Sequence, residues 1–159
     1  MITKKDREFI YRAIELSEKG MNNNAGGPFG AVIVKDDKII AEGYNQVTSS
    51  NDPTAHAEIV AIREACRNLN SFQLDGCIIY TSCEPCPMCL GAIYWARPSA
   101  VYYACTNKDA AEVGFDDAFI YDELEVDMDN RSIKFINLNR EEGLEVFKKW
   151  TAKEERTEY

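Results

Sequence analysis

The sequence predicts an α/β fold, and three observations carry that prediction. Apolar residues at helical spacing alternate along the chain with short apolar runs of strand length. Between residues 77 and 105 a strand, a helix and a strand follow one another, the order of a right-handed βαβ unit with parallel strands. The length, 159 residues, suits one domain that buries roughly two-thirds of its unfolded surface. We therefore expect a single domain over residues 1–159, with no linker, internal repeat or low-complexity segment.

The elements follow in order. Thr3 caps a first helix over residues 4–19, whose stripe is Phe9, Ala13 and Leu16 with Ile10 and Ile14 beside them, closed by Lys19 and Gly20. A glycine-rich loop, 21–30, contains Gly26-Gly27-Pro28-Phe29-Gly30. Residues 31–35 and 39–42 read as strands joined at Asp36-Asp37-Lys38. After a polar loop, 45–54, Thr54 is the expected N-cap of a second helix with Ala55, Ile59, Ile62, Cys66 and Leu69 on its buried face. Residues 77–82 form an apolar strand. Cys86 or Pro85 caps the next helix, with Pro87 at its start, Leu90, Ile93 and Tyr94 on its buried side, and its end near Arg97, before Pro98. Residues 100–105 are the following strand. The stretch 107–123 is ambiguous, with a helical turn at 109–113 and a loop at 114–117. Residues 133–138 look like a last strand, and Asn139 with Glu142 opens a final helix to about Lys149. The tail, 151–159, is charged and ends in Tyr159.

Composition narrows the function. Hydrophobic content of 45% and charged content of 28% are ordinary for a globular protein. No stretch approaches the roughly eighteen apolar residues of a membrane span, and the start, Met1-Ile2-Thr3-Lys4-Lys5, carries no apolar signal region. The expected location is the cytoplasm, where six cysteines argue for thiols and metal, not disulfides. A net charge of −9 disfavours a protein that neutralises many phosphates, though it allows a small basic patch.

The chemistry centres on two stretches. Cys86 and Cys89 stand in a C-x-x-C pair, the spacing that lets two thiolates reach one zinc ion. His56, the sole histidine, lies about thirty residues upstream and can supply one nitrogen. Three protein ligands leave the fourth corner of a tetrahedron for water, as catalytic zinc requires. Glu58 is two residues beyond His56. On a regular helix that spacing separates side chains widely, so the two share a site only near a frayed first turn. Glu58 would there take a proton from water and return it to a substrate losing ammonia from an amino-substituted ring. The bland reading is a structural zinc site, closed by Cys83 as a fourth ligand, or plain buried thiols. The combination of H-x-E with P-C-x-x-C favours catalysis.

Other residues signal less. Phe29 in its glycine frame can stack on a flat base, although turns carry such glycines routinely. Asn45 can hydrogen-bond a ligand or merely end a strand. Asp116 and Asp117 can meet an amino group, while surface acids are commoner. Trp95 is more often core than pocket. Cys66, Cys77 and Cys105 read as core thiols.

With His56-Ala57-Glu58 and Pro85 to Cys89 quoted, the chain resembles the cytidine-deaminase superfamily of zinc hydrolases, and within it the bacterial guanine deaminases. The likeness extends through Gly26 to Lys35, Ser50 to Glu58, Tyr80 to Pro98 and Ala110 to Asp117, and is weak from Glu123 to Lys153. It implies a three-layer α/β/α fold with a central mixed five-stranded sheet. It implies zinc-dependent hydrolysis of guanine to xanthine and ammonia. It gives one zinc per subunit to His56, Cys86 and Cys89, and the proton shuttle to Glu58. Phe29, Asn45, Ala57, Trp95 and Tyr159 would surround the base, and Asp117 would meet the amino group and help ammonia leave. A homodimer is implied, with C-terminal segments that cover the site, often exchanged between subunits. A tRNA adenosine deaminase, a deaminase of guanosine, cytosine or an aminotriazine, and a non-enzymatic zinc module are the alternatives.

Overall fold

The computed structural model describes residues 2–159. The chain divides into two compact units, one running to Asp117 and a second, Ala118–Tyr159.

The first unit is built on a mixed sheet of four strands in the order β2-β1-β3-β4, where β1 is Gly30–Lys35, β2 Lys38–Tyr44, β3 Cys77–Cys83 and β4 Ala100–Cys105. β1 runs antiparallel to β2 and to β3, and β3 runs parallel to β4. Asp36 and Asp37 both take positive φ, 49° and 60°, which gives the β1–β2 hairpin the backbone twist its strands need. A register shift between Ile33 and Val34 leaves Ile40 as an extra residue in β2.

Period-two alternation sends the two sides of β1 to different helices. Val32 and Val34 pack with Tyr80 and Leu16 of α1 (Lys4–Asn22). Ala31 and Ile33 pack with Ile79, Leu74 and the alanines of α3 (Ala57–Leu69), joined by Ile93 and Ala96 of α4 (Pro87–Ala96). These are the three layers of the expected α/β/α sandwich. Burying side chains such as Ile33, Leu74 and Ile79 contributes about 1.5–3 kcal/mol each. At Gly43 a Cβ would fall on the carbonyl of Ala57 and lie 2.8 Å from the Ala61 nitrogen, so α3 rests directly on β2.

Thr3 caps α1 as expected, in a capping box with Asp6. The Tyr80 hydroxyl donates to the Asp6 carboxylate at 2.6 Å, which ties this helix end to the sheet and lowers the Asp6 pKa.

Several expectations need correction. The sheet has four strands, not five. Residues 133–138 form no ladder, because alternation creates a strand only where a neighbouring backbone supplies the hydrogen bonds. The N-cap of α3 is His56, not Thr54, since the Thr54 hydroxyl and N–H both donate to the Asp52 carboxylate, at 2.7 and 2.8 Å. Of the expected buried face, Ala55 and Ile59 are buried as expected and Ile62, Cys66 and Leu69 only partly, while the fully buried stripe of α3 is Ala57, Ala61 and Ala65. On α4 the buried stripe is Cys89, Ile93 and Ala96. Leu90 and Tyr94 are exposed, because a helix apolar all round does not reveal which side meets the sheet. Trp95 and Cys105 are also exposed, the first not a core residue and the second not a core thiol.

Beyond β4, Thr106 caps α5 (Asn107–Glu112) through a second capping box, with Asp109. A short helix, α2 (Val47–Ser50), interrupts the loop that was expected to be irregular. The second unit contains α6 (Ala118–Glu125), a single 3₁₀ turn and α7 (Arg140–Ala152). Asn139 does precede α7, but in a left-handed conformation with φ 56° and without a side-chain cap, so the expected capping box is not formed. Among the described residues no helix is long and apolar enough to cross a membrane.

Candidate active site

The site grows from two helix starts. His56 leaves the polar loop in an extended conformation, φ −69° and ψ 155°, and its carbonyl accepts from the Val60 N–H at 3.0 Å to open α3. Cys86 does the same for α4, with φ −65° and ψ 168°, its carbonyl accepting from Leu90 at 2.8 Å and Pro87 taking the first helical position. Cys89 follows one turn later. β3 thus delivers one thiolate just beyond its C-terminal end, where ligands of α/β sheets gather.

His56 Nδ1 lies 3.5 Å from Cys86 Sγ and 3.6 Å from Cys89 Sγ. The three donor atoms fall within 4.8 Å of one another. A tetrahedral zinc with bonds of about 2.3 Å to sulfur and about 2.0–2.1 Å to nitrogen places sulfur and nitrogen about 3.5 Å apart, so these donors fit zinc, with Nδ1 as the histidine ligand. Cys83 does not join them. Its thiol donates to the Thr106 carbonyl at 3.4 Å, and among the described residues the cluster holds His56, Cys86 and Cys89. A three-ligand set has the open position of a catalytic centre, and the closed structural site loses its fourth ligand.

Of the two thiols Cys86 ionises first. The hydrogen bond from Cys89, with His56 adding to it, holds its pKa down to about 4. Cys89 is pushed up by that same bond and by burial, so the pair keeps one proton that zinc binding displaces. The bond to Cys86 raises the His56 pKa.

Glu58 sits at the second helical position of α3, 6% exposed. Burial raises its carboxyl pKa, and the Cys89 thiol lies within hydrogen-bond reach. With His56 as cap, outside the helix proper, the wide angular separation of i and i+2 does not apply, and both side chains reach one site. Ala57, between them, is fully buried at the first helical position.

Three further residues were expected beside this centre, and each has its own surroundings. Asn45 is buried, and its Oδ1 accepts from the N–H of Gly27 at 3.3 Å and of Val47 at 3.1 Å. Phe29 is half-buried and meets Phe115 edge-on, with ring centroids 4.9 Å apart and planes at 88°. The Asp117 carboxyl is raised by burial first and then by the charge of Cys86. Trp95, in the last turn of α4, is 64% exposed, and Tyr159 belongs to the second unit.

Two contributors escaped the sequence reading. Ser82 Oγ accepts from the Gly30 N–H at 3.0 Å, locking the residue after Phe29 to the end of β3. Its sole signal was a second aliphatic hydroxyl, after Thr81, near the end of a largely apolar strand. Phe115 carried no signal beyond an aromatic ring following Gly114.

Comparison with known proteins accords with this geometry. Residues 3–105 match the family described as the cytidine and deoxycytidylate deaminase zinc-binding region. Guanine deaminase of Bacillus subtilis (strain 168) is 59% identical over 151 residues, covering 95% of this chain and 97% of that protein. The X-ray structure of guanine deaminase from Bacillus subtilis superposes with a TM-score of 0.95 at 56% identity, covering 99% of each chain. A tRNA-specific adenosine deaminase of Aquifex aeolicus is 47% identical over 81 residues, which is 51% of this chain. Matching that family over residues 3–105, with the donor set its zinc requires, the chain belongs to the cytidine and deoxycytidylate deaminase zinc-binding family.

Proposed function

We propose that this protein hydrolyses guanine to xanthine and ammonia with one zinc ion per subunit. The observation that carries the reading is the extent of the likeness to guanine deaminase. It spans 95% of the chain at 59% identity, including the segment after residue 105, whereas tRNA-specific adenosine deaminases are 47% identical over 51% of it and 36% identical over 76%.

Zinc held by His56, Cys86 and Cys89 supplies Lewis acidity that makes water nucleophilic near neutral pH. Glu58 moves the protons. Its buried carboxylate takes one from the attacking water and returns it to the ring, and its raised pKa suits it to do both. Phe29 offers its ring face to the flat base. With Asn45 Oδ1 already accepting from two backbone N–H groups, Asn45 presents its Nδ2 donor to an acceptor on the base. Ala57 offers the backbone N–H of a first helical position, which has no partner within the helix. Asp117 meets the amino group, and the proton given up by the new hydroxyl on the ring carbon passes through its carboxylate to the departing ammonia.

The same reading gives Trp95 a wall of the site and Tyr159 the end of a cover formed by residues 151–159, which excludes water. It makes residues 1–159 one deaminase domain that works in the cytoplasm as a homodimer with exchanged C-terminal segments. Support for the exchange comes from the second unit, where Ile133, Ile136 and Leu138 are 72%, 81% and 82% exposed and need an apolar surface to cover them.

The test is ammonia release by zinc-loaded protein from guanine, guanosine, adenine and cytosine, with a chelated control. Release from guanine alone, lost on chelation, is expected. Release from a different member of the panel overturns the substrate, and silence on all four together with tight, salt-sensitive tRNA binding overturns the choice of a free base.

A further inference from the structure

The short segment between α5 and Asp117 is held at Gly114 and Phe115 by features that the chemistry above leaves unexplained. It leaves α5 through Gly114, whose φ of +94° suits glycine. The N–H groups of Gly114 and Phe115 return to the carbonyls of Ala111 and Ala110, each at 3.0 Å. The backbone is thus pinned to the helix as far as Phe115. From there the Phe115 ring reaches across to Phe29 and meets it edge-on, the arrangement in which the positive rim of one ring faces the negative face of the other.

Gly27 lies beneath that contact. A Cβ added there would sit 2.9 Å from Phe115 Cζ and 3.0 Å from Phe29 Cε2, closer than side-chain packing allows. Asn45 Oδ1 accepts from the N–H of the same glycine. Gly27, Phe29, Asn45 and Phe115 therefore form one contiguous set, although they come from three separate parts of the sequence. Asp117 follows Phe115 by two residues, a span of about 7 Å at most.

We propose that Phe115 is a positioning residue. Its edge contact with Phe29 across Gly27 sets the place of Asp117 relative to the base that Phe29 holds. Phe115 is 44% exposed and therefore no core residue, and its ring meets Phe29 and lies over Gly27. The inference rests on the proposed roles of Phe29 and Asp117.

A double-mutant cycle in the zinc-loaded full chain tests it, with kcat and KM for guanine measured on Phe115→Leu, Asp117→Asn and the pair. Small displacements of a reacting group cost up to about a hundredfold in rate. We expect Phe115→Leu to lower kcat by about tenfold to a hundredfold with a smaller change in KM. In the Asp117→Asn background the same substitution should change kcat by less than about twofold, because the group it positions has gone. Zinc content and melting temperature report folding, and Phe115→Met replaces Phe115→Leu if the latter loses zinc.

A slow Asp117→Asn with an unimpaired Phe115→Leu, with fully multiplicative losses, or with a rise in KM alone overturns the positioning role while leaving Asp117 in the mechanism. An Asp117→Asn enzyme at the wild-type rate removes the assignment of Asp117 and the proposal with it.

Discussion

The two units of the chain handle their apolar residues in opposite ways. In the first, Val32, Ile33, Leu74, Ile79 and Tyr80 are all at most 1% exposed, sandwiched between helices on both faces of a sheet. In the second no residue is buried, and Phe119, Phe135 and Phe147 are 64%, 50% and 69% exposed. Its internal ties are polar. The Ser132 N–H donates to the Glu123 carboxylate at 3.0 Å, and Arg156 donates to the Thr151 carbonyl at 2.8 Å. The first unit carries the driving force for folding within itself. The second leaves its apolar side chains exposed and has no buried core of its own.

The sharpest way to test that division is chemical. Glu58→Gln should lower kcat by about a thousandfold or more while zinc content and melting stay near wild type, because the lost function is proton transfer within the first unit. A variant with ordinary turnover would remove Glu58 from the mechanism.

The next contrast is between cores. Leu74→Ala should destabilise the protein by about 2–5 kcal/mol in denaturant titration, since Leu74 is fully enclosed. Ile136→Ser should change the stability of the first unit by no more than about 0.5 kcal/mol, yet reduce the dimer fraction in sedimentation. Equal destabilisation by both substitutions would erase the difference between the units.

Ending the chain after Lys153 removes Arg156 and Tyr159, which bury little. Turnover should fall about tenfold or more, with melting almost unchanged, if the tail excludes water from the site. Wild-type turnover in that truncation would leave the tail without a role in catalysis.

The smallest expected effect concerns pH. Hydrogen bonds from Tyr80, and then from Thr3, hold the Asp6 carboxyl below its ordinary value of 3.8. A carboxylate with a lowered folded pKa contributes stability at neutral pH and loses it as the pH falls below that ordinary value. Asp6→Asn should therefore be less stable than wild type at pH 7, with the gap closing below about pH 4. A gap independent of pH would show that the charge of Asp6 contributes nothing.

The sequence by itself determined what local chemistry controls. The C-x-x-C spacing and the sole histidine named the donors that could hold zinc, and Glu58 two residues on named the proposed proton carrier, because ligand type and spacing are written in the chain. Thr3 announced the cap of α1, and the β3-α4-β4 order announced parallel strands, because capping and crossover length are local matters. Tertiary structure decided the rest. Asp52 drew the Thr54 hydroxyl away and moved the cap to His56, which is what lets His56 and Glu58 share a site. The sheet chose Cys89, Ile93 and Ala96 on a helix whose every side is apolar, and left Leu90 and Tyr94 outside. Residues 133–138 have the alternation of a strand and no ladder, since a strand depends on a neighbour that sequence pattern does not supply. Phe115 reached Phe29 only when the fold brought distant loops together over Gly27, a contact between residues 86 positions apart that no periodicity records.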